Sequence, residues 1–253
     1  MAKIIRKGKD LEKDYLVLNR KFKTRLTIAI SFMASGMLVA PALFLLLSSP
    51  IFMILPFFCW VVAVVFFILA SAVKSELDIL AAGINGENLA NRCVSLLPDS
   101  YTAFRNLTVT YDGKSSELDI VVVGPTGIFV VETKALNGTI CGDVNNSQWV
   151  QQKVGRGGTP YSKSFYSPIK QVNTHVYRLA NNLRSRGIRT YVNAIVYFSN
   201  VETSFCLTGV SEKTPVFNAQ NNGANQMLNY IVNREKILTQ QECEKIVDVI
   251  IKL

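Results

Sequence analysis

Three side chains on two adjacent predicted strands have the types and spacing needed to hold a metal ion. Asp119 lies in one apolar run, and Glu132 and Lys134 end the next. The segment 124–127 (GPTG) between the runs predicts a hairpin with a tight turn. A two-residue turn centred in this segment puts Asp119 directly opposite Glu132, with the two Cβ atoms about 5 Å apart.

This pair of like charges indicates a chemical role. Two facing carboxylates repel, and desolvation beside a buried strand raises their pKa values further. A divalent cation removes that penalty, because Mg²⁺ favours one or two carboxylates together with waters and phosphate oxygens. Strand alternation puts Lys134 on the same face as Glu132, where its ammonium group can orient water or stabilise charge on a phosphate. The pattern indicates metal-dependent phosphodiester hydrolysis. The alternative is that Glu132 and Lys134 form only a polar strand end and that Asp119 is only a charge at the edge of the sheet.

The elements predicted around this hairpin form an α/β domain. Their order is a helix at 87–97, strands at 106–111, 117–123 and 127–134, a helix from Pro168 to Gly187, and a strand at 191–198. A linker interrupted by Gly83 and Gly86 precedes the first helix. A strand at 215–218 and helices at 224–232 and 239–252 follow, the last with a capping box of Thr239 and Glu242. Residues 137–167 carry no readable pattern.

The region before this domain predicts a membrane anchor. Between Arg25 and Lys74 lie 48 residues without a charged side chain. That run is too long for one membrane span and long enough for two spans of about 20 residues. Ser48-Ser49-Pro50 predicts a break that gives spans at 26–48 and 51–73. A cleaved signal peptide is the alternative, but the first apolar run is too long for one.

The charge of the first 25 residues predicts the orientation of this hairpin. Residues 1–25 carry nine Lys or Arg and three acidic residues, a net charge of +6. Basic flanks stay on the cytoplasmic side, and two spans return the chain to that side. We therefore expect a multi-pass inner-membrane protein with both termini in the cytoplasm. Binding of the tail to anionic lipid or nucleic acid is the alternative.

The net charge and the cysteine spacing limit the kinds of site that the sequence predicts. The whole chain has a net charge of +9, which leaves about +3 for residues 74–253, so charge alone does not mark this region as a nucleic-acid binder. The five cysteines, Cys59, Cys93, Cys141, Cys206 and Cys243, are scattered and include no CxxC pair. This pattern predicts reduced cytosolic thiols, with neither a disulfide framework nor a zinc site.

Several separated blocks resemble the nuclease-related domain called NERD. They are Gly86-Glu87 at a helix start, Leu118-Asp119 before Val121-Val122-Val123-Gly124, the strand Gly127–Lys134, and Gly138, Trp149 and Pro168 with Gln171. The resemblance covers 83–199 and leaves 200–253 as a strand and helix extension. It implies a restriction-endonuclease-like α-β-β-β-α-β core with a mixed central sheet and the PD-(D/E)xK motif. Family members are often bacterial and often carry transmembrane segments.

The resemblance also implies roles for matched residues. The implied catalytic set is Glu87, Asp119, Glu132, Lys134 and Gln171. Asp119 and Glu132 would hold the metal, Lys134 would be the motif lysine, and Glu87 would add an acidic group. Gln171 would position substrate or metal-bound water. Many members have Asp-His where this chain has Asp119-Ile120, but Ile120 is predicted on the other strand face.

Two further residues are candidates for contacting substrate. His175, the only histidine in the chain, lies four residues after Gln171 and hence on the same helical face. Trp149 could stack on a nucleic-acid base. A structural hydrogen bond for His175 and a loop-anchoring role for Trp149 are the alternatives.

These observations predict two functions of different classes. The first is a membrane-tethered nuclease, dependent on Mg²⁺ or Mn²⁺, that acts on cytosolic nucleic acid with DNA favoured over RNA. The second is a non-catalytic module that binds nucleic acid or a protein at the membrane and keeps a relic of the site.

Overall fold

A computed structural model describes residues 1–8, 11–47, 54–155, 157–209 and 211–253. The chain divides into two compact units. One comprises Met1–Lys9 together with Asn85–Leu253, and the other comprises Asp10–Ile84. The predicted break at 48–50 lies outside the described residues.

Two long helices, α1 (Leu11–Leu47) and α2 (Ile54–Ser95), supply the second unit. The Arg25 guanidinium donates from Nη1 to the Leu69 carbonyl at 3.0 Å, and a Cβ atom built on Gly36 would lie 3.1 Å from Cys59 Cβ. Because a later residue of α1 meets an earlier residue of α2, the two helices run antiparallel. Helix α1 begins at Leu11, well before the predicted span start at residue 26.

Among the described residues, one helix has the length and composition needed to cross a membrane. Pro56–Ser95 is long and apolar enough to cross a membrane by length and composition, and 17% of its most apolar window is buried. Core helices of soluble proteins and signal sequences share this length and composition.

Helix α2 continues without a break through the predicted glycine linker and the separate helix predicted at 87–97. The prediction of an interruption at Gly83 and Gly86 was therefore wrong. A Cβ atom on Gly86 would lie 2.4 Å from Ala135 Cβ and 2.7 Å from Ser199 Oγ. Gly86 is thus required for close packing of the helix against the domain, and not for ending the helix.

The main sheet has six strands in the order β1-β2-β3-β4-β8-β10. Their bounds are Lys3–Arg6 (β1), Thr102–Tyr111 (β2), Lys114–Gly124 (β3), Gly127–Lys134 (β4), Val192–Phe198 (β8) and Val216–Asn218 (β10). Strands β2, β3 and β4 pair antiparallel, whereas β1 with β2, β4 with β8, and β8 with β10 pair parallel. The predicted mixed sheet is confirmed, and β2 starts four residues earlier than predicted.

Strand β1 was not predicted, because the first 25 residues appeared to be only a basic tail. Lys3 pairs with Thr102 and Arg6 pairs with Arg105, so β1 forms the edge of the main sheet. Ile5 packs against the core, and the Lys7 ammonium group donates to the Ile251 carbonyl. The start of the chain is therefore part of the folded domain.

A second sheet occupies the stretch where no pattern was readable. Its strands are β5 (Gly138–Asp143), β6 (Gln148–Val154), β7 (Pro160–Tyr166) and β9 (Thr203–Thr208), in the order β7-β6-β5-β9. Strand β6 pairs antiparallel with both β5 and β7, whereas β5 and β9 pair parallel.

Helices cover both faces of the main sheet. Helices α3 (Pro168–Ser185) and α5 (Gln240–Ile251) share one core cluster with Ile140 and Trp149 of the second sheet. The C-terminal part of α2 and α4 (Gly223–Val232) share the other. The described order of α2, β2, β3, β4, α3 and β8 agrees with the predicted helix, three strands, helix, strand. The capping box at Thr239 and Glu242 is also present.

Candidate functional site

The hairpin that carries the acidic residues has the predicted register. Gly124 pairs with Gly127 and Ile120 pairs with Val131, so the two-residue turn lies between the two glycines. The ladder ends at the Ile120–Val131 pair, and Asp119 and Glu132 are the next residues on the two strands. The Thr133 amide donates to Asp119 Oδ2 at 2.7 Å, which holds the Asp119 carboxylate against the end of β4.

Glu132 and Lys134 lie on one face of β4, as the strand alternation predicted. The Lys134 ammonium group donates to Glu132 Oε1 at 2.7 Å and to Gln171 Oε1 at 3.0 Å. The Glu132 side chain is 1% exposed and that of Lys134 is 23% exposed. A buried carboxylate is thus compensated by a lysine that still reaches solvent.

Helix α3 brings two side chains to the same place. It begins with Pro168 at its first turn, and the Ser167 side chain accepts from the Lys170 amide. Its spacing of four residues puts Gln171 and His175 on one face. His175 Nδ1 lies 3.2 Å from Glu132 Oε2, but this contact is not a hydrogen bond. Within the described part of the chain, Glu132 Oε2 is therefore a buried oxygen without a hydrogen-bond partner.

The two carboxylates have opposite pKa shifts. Burial, followed by the nearby Glu132 charge, raises the pKa of Asp119 to about 8. Burial also acts to raise the pKa of Glu132, but the His175 contact and the Lys134 charge outweigh it and lower that pKa. The two carboxylates therefore titrate as a coupled pair, in which Asp119 is the group that favours its protonated form and Glu132 the group that favours its charged form.

Glu87 lies at the margin of this group. It is on α2, whose neighbouring residues pack on the other face of the sheet. Burial raises the pKa of Glu87, and a hydrogen bond from Asn106 and the Arg105 charge act against that rise. Glu87 acts on Asp119 through charge, as the smallest of the causes of the Asp119 shift.

Asn106 is a site residue that the sequence interpretation missed. Its backbone is left-handed (φ 53°) within β2, a conformation that asparagine tolerates better than most residues. The β2–β3 pairing passes from Arg105↔Ile120 to Leu107↔Leu118 and omits Asn106 and Asp119. The sequence carries a signal of this irregular backbone. Phe104 and Leu107 pack in the same core cluster, although residues three apart in a regular strand point to opposite faces.

Trp149 does not line the site, and the prediction that it contacts substrate is corrected. Its side chain is 0% exposed, so no nucleic-acid base can stack on it. The indole Nε1 donates to the Asp143 carbonyl at 2.9 Å, and the ring packs edge-on against Phe165. A Cβ atom on Gly142 would lie 2.6 Å from the Trp149 ring. Trp149 thus anchors the second sheet.

The residues brought together can offer oxygen ligands to a metal. Among the described residues, no group of three or more His, Cys, Asp or Glu side chains is arranged to hold a metal ion. Asp119 and Glu132 nevertheless provide two carboxylates, and Glu132 Oε2 is buried without a hydrogen bond. Mg²⁺ commonly uses one or two protein carboxylates and completes its shell with water and substrate oxygens. The donor set fits that ion.

Comparison with known proteins identifies the region that carries this site. Residues 82–199 match the family model described as the nuclease-related domain, NERD. An uncharacterized protein from Bacillus anthracis is 38% identical over 96 residues, which make up 37% of this chain and 43% of the relative. The match thus spans less than half the length of that relative. No solved structure matches the chain. The candidate site thus lies in the part of the chain, residues 82–199, that is similar to the nuclease-related domain.

Proposed function

We propose that the nuclease-related domain is a metal-dependent phosphodiesterase that cleaves nucleic acid, DNA in preference to RNA. The observation that carries the proposal is the burial and the hydrogen bonding of the Glu132 carboxylate. This carboxylate is 1% exposed, bonded to Lys134 through Oε1 and lacking a hydrogen bond at Oε2 among the described residues. The helix, three-strand, helix, strand order supports a restriction-endonuclease-like PD-(D/E)xK core.

In this proposal each residue of the group has a separate task. Asp119 and Glu132 hold Mg²⁺ or Mn²⁺, which when bound would polarise the phosphate and activate water. Glu132 and Gln171 hold the Lys134 ammonium at 2.7 and 3.0 Å. It is thereby positioned beside the phosphate, where it offsets negative charge in the transition state. Glu87 adds negative charge at the margin, and His175 limits the freedom of the Glu132 carboxylate.

The test is cleavage by the full chain purified in detergent micelles. Single-stranded DNA, double-stranded DNA and RNA are incubated with Mg²⁺ or Mn²⁺, and with EDTA as a blank. We expect metal-dependent cleavage of DNA that falls at least a hundredfold in Glu132→Gln and Lys134→Met, since both remove groups that act on the phosphate.

Matched controls come from helix α5. Glu244→Gln and Lys245→Met make the same chemical changes at exposed positions and should leave cleavage unchanged. Absence of cleavage with every substrate and both metals would contradict the proposal. So would equal cleavage by wild type, Glu132→Gln and Lys134→Met, which would indicate a contaminating nuclease.

A non-catalytic binding module is the second candidate. It is favoured because, among the described residues, no group of three or more His, Cys, Asp or Glu side chains is arranged to hold a metal ion. This candidate predicts that fluorescence anisotropy detects nucleic-acid binding while no strand is cut, and that Glu132→Gln binds as well as wild type. If Mg²⁺ or Mn²⁺ produces cleavage products, the binding-only candidate is excluded.

We further propose that α1 and α2 anchor this domain in a membrane, with two spans and both flanks in the cytoplasm. The antiparallel pair exposes large apolar side chains, among them Leu38 (73%) and Phe57 (67%). Strand β1 and residues 85–253 belong to one compact unit. Because both flanks of the hairpin belong to that unit, its composition supports the proposal that both flanks lie on the same side of the membrane.

Membrane fractionation tests this anchor. We expect the full chain to sediment with membranes and to resist alkaline carbonate. Val64→Arg should release part of it, since a centrally placed arginine costs about 2.5–3.5 kcal/mol on insertion. Ile79→Arg, on the same helix but beyond the predicted span, is the control and should remain bound. Release of wild type by carbonate would contradict the proposal.

The two-span topology has its own test. An epitope inserted after Ser49 should be reached by antibody from outside intact spheroplasts, whereas an epitope after Leu253 should require permeabilisation. Equal accessibility of the two epitopes in intact spheroplasts would contradict a hairpin with cytoplasmic flanks.

A further inference from the structure

Two cysteines that are far apart in sequence are neighbours in the second sheet. Cys141 of β5 and Cys206 of β9 are direct partners in a parallel ladder. Neighbouring strands lie about 4.8 Å apart, and partners in register point to the same face. Disulfide-bonded cysteines have Cα atoms about 4.4–6.8 Å apart. The backbone therefore places these two residues within disulfide range.

Other pairs on the same face show that side chains meet across these two strands. Thr139 Oγ1 lies 3.0 Å from Ser204 Oγ, two positions before the cysteines. Thr208 Oγ1 donates to Asp143 Oδ2 at 3.1 Å, two positions after them. The pairs that flank the cysteines on this face are thus both in contact.

The thiols of Cys141 and Cys206 differ in their exposure. Both are free thiols, and Cys206 is exposed while Cys141 is partly buried. The opposite face of these strands supplies Ile140, Phe205 and Leu207 to the core. The two sulfur atoms therefore lie on the outer face, where a small oxidant can reach them.

We propose that Cys141 and Cys206 form a thiol modification site that hydrogen peroxide oxidises to an intramolecular disulfide. Cys206 reacts first because it is the exposed member of the pair. Its thiolate attacks one peroxide oxygen, the O–O bond breaks, and the product is a sulfenic acid plus hydroxide, which takes up a proton to become water. The Cys141 thiolate then attacks the Cys206 sulfur and displaces a second hydroxide, which is also protonated to water. Two thiols and one peroxide thus give one disulfide and two waters.

The disulfide would join β5 to β9 within the second sheet, and these two strands follow β4 and β8 of the main sheet in sequence. Strand β5 begins at Gly138, soon after Lys134 ends β4, and β9 follows β8 in the same way. A bond between residues 141 and 206 would fix the two parallel extensions of β4 and β8 to each other. This inference is independent of the proposed function, since it concerns the thiols alone.

The test is thiol mapping on the full chain in detergent micelles. The reduced protein is treated with an equimolar amount of hydrogen peroxide, remaining thiols are alkylated, and the digest is analysed by mass spectrometry. We expect two fewer alkylated thiols and a cross-linked peptide pair that contains Cys141 and Cys206. Cys141→Ser and Cys206→Ser should lose this product, and Cys93→Ser should keep it.

A second measurement reads the spacing without oxidation. Phenylarsine oxide bridges closely spaced thiols, so wild type and Cys93→Ser should bind one equivalent more than Cys141→Ser or Cys206→Ser. A positive control for geometry is Thr139→Cys with Ser204→Cys in a Cys141→Ser, Cys206→Ser background, which should form the equivalent cross-link. The proposal is overturned if wild type gives only disulfides between chains. It is equally overturned if Cys206 reaches the sulfinic acid while Cys141 remains alkylatable.

Discussion

At position 132 a carboxylate lies in the apolar body of the sheet, beside Val130 and Val131 of the same strand. Its two oxygens have different surroundings. Oε1 is 2.7 Å from the Lys134 ammonium group, and Oε2 has only the 3.2 Å approach of His175 Nδ1. Removing water from a carboxylate costs several kcal/mol unless partners replace it. We therefore expect the stability of the fold to depend strongly on the Lys134 ammonium group, which compensates the buried Glu132 charge.

Lys134→Met should destabilise the fold by about 2–3 kcal/mol, because it leaves the buried Glu132 charge without its cation. Glu132→Gln combined with Lys134→Met should be less destabilised than the sum of the two single variants, with a coupling of about 1–2 kcal/mol. Denaturant unfolding of the full chain in detergent provides the free energies.

Lys74 offers a matched control for that measurement. It pairs with Asp78 at the same distance of 2.7 Å, but both side chains are about half exposed. Lys74→Met should therefore change stability by less than about 0.5 kcal/mol. Equal effects of Lys74→Met and Lys134→Met would contradict the importance of burial.

Asp119 makes stability depend on pH in the metal-free protein. Its folded pKa is about 8, whereas the unfolded chain releases this proton near pH 4. Between these values the folded state binds more protons, so stability falls as the pH rises through this window. In EDTA, Asp119→Asn should exceed wild type in stability by roughly 1–3 kcal/mol at pH 8 and match it near pH 4.

Thermal unfolding across pH 4–8 checks this expectation, at about 2–4 °C per kcal/mol for a chain of this size. Asp248→Asn, at an exposed position on α5, serves as the control and should show no such trend. A stability gain in Asp119→Asn that is the same at pH 4 and pH 8 would contradict a raised pKa at Asp119.

Among the individual residues of the candidate site, some were predictable from the sequence and others were not. The turn centred in 124–127 fixes the strand register, so Asp119 and Glu132 were predictable as neighbours. Gln171 and His175 followed from helical spacing. The burial of Trp149 did not, because the second sheet that encloses it was not predicted.

At the scale of elements, helices and central strands were predicted better than the second sheet. Strand β4 and helix α3 have strong apolar patterns, and their predicted bounds agree closely with the structure. Strand β7 (PYSKSFY) is exposed along most of its length, so burial does not impose an apolar alternation on it. Such strands are specified by pairing with neighbours, which a local pattern cannot reveal.

The two glycines in α2 provide a prediction at this scale. Gly86→Ala should destabilise the domain by about 1–3 kcal/mol, since its Cβ would lie 2.4 Å from Ala135 Cβ. Gly83→Ala should stabilise the helix by about 0.5–1 kcal/mol, because a Cβ at position 83 meets nothing within 4 Å. Thermal unfolding of the two variants compares them directly, and equal shifts of the same sign would contradict this packing role.

At the scale of the whole molecule, the sheet domain is discontinuous in sequence. Strand β1 and residues 85–253 form one unit around an inserted helical segment. The sequence did not predict this arrangement, because four residues with two basic side chains (KIIR) carry too little pattern to distinguish an edge strand from a tail. The family match starts at residue 82 and likewise leaves β1 out.

Proline substitutions test the contribution of β1. The Lys3 amide donates to the Tyr101 carbonyl just before β2, and the Lys7 amide donates to the Arg105 carbonyl of β2. The two-residue period therefore gives Ile5 an amide that points toward β2 as well. Ile5→Pro should destabilise the domain by about 2 kcal/mol through loss of that bond and of core packing. Ile4→Pro is the control, since its amide points away from β2. Denaturant unfolding should show a markedly smaller effect for Ile4→Pro, and equal losses would argue against β1 as a structural strand.

The pairing of β1 with β2 also orders events during synthesis. Lys3 pairs with Thr102, so the first strand leaves the ribosome 99 residues before its partner, a delay of about 5–20 seconds at typical elongation rates. Throughout that interval the strand has an unpaired edge, and both helices emerge before the sheet exists. Its three basic side chains in the first seven residues, Lys3, Arg6 and Lys7, discourage edge-to-edge association with other nascent chains. The basic residues that predicted the membrane orientation thus also reduce the risk of aggregation of β1 before β2 is available to pair with it.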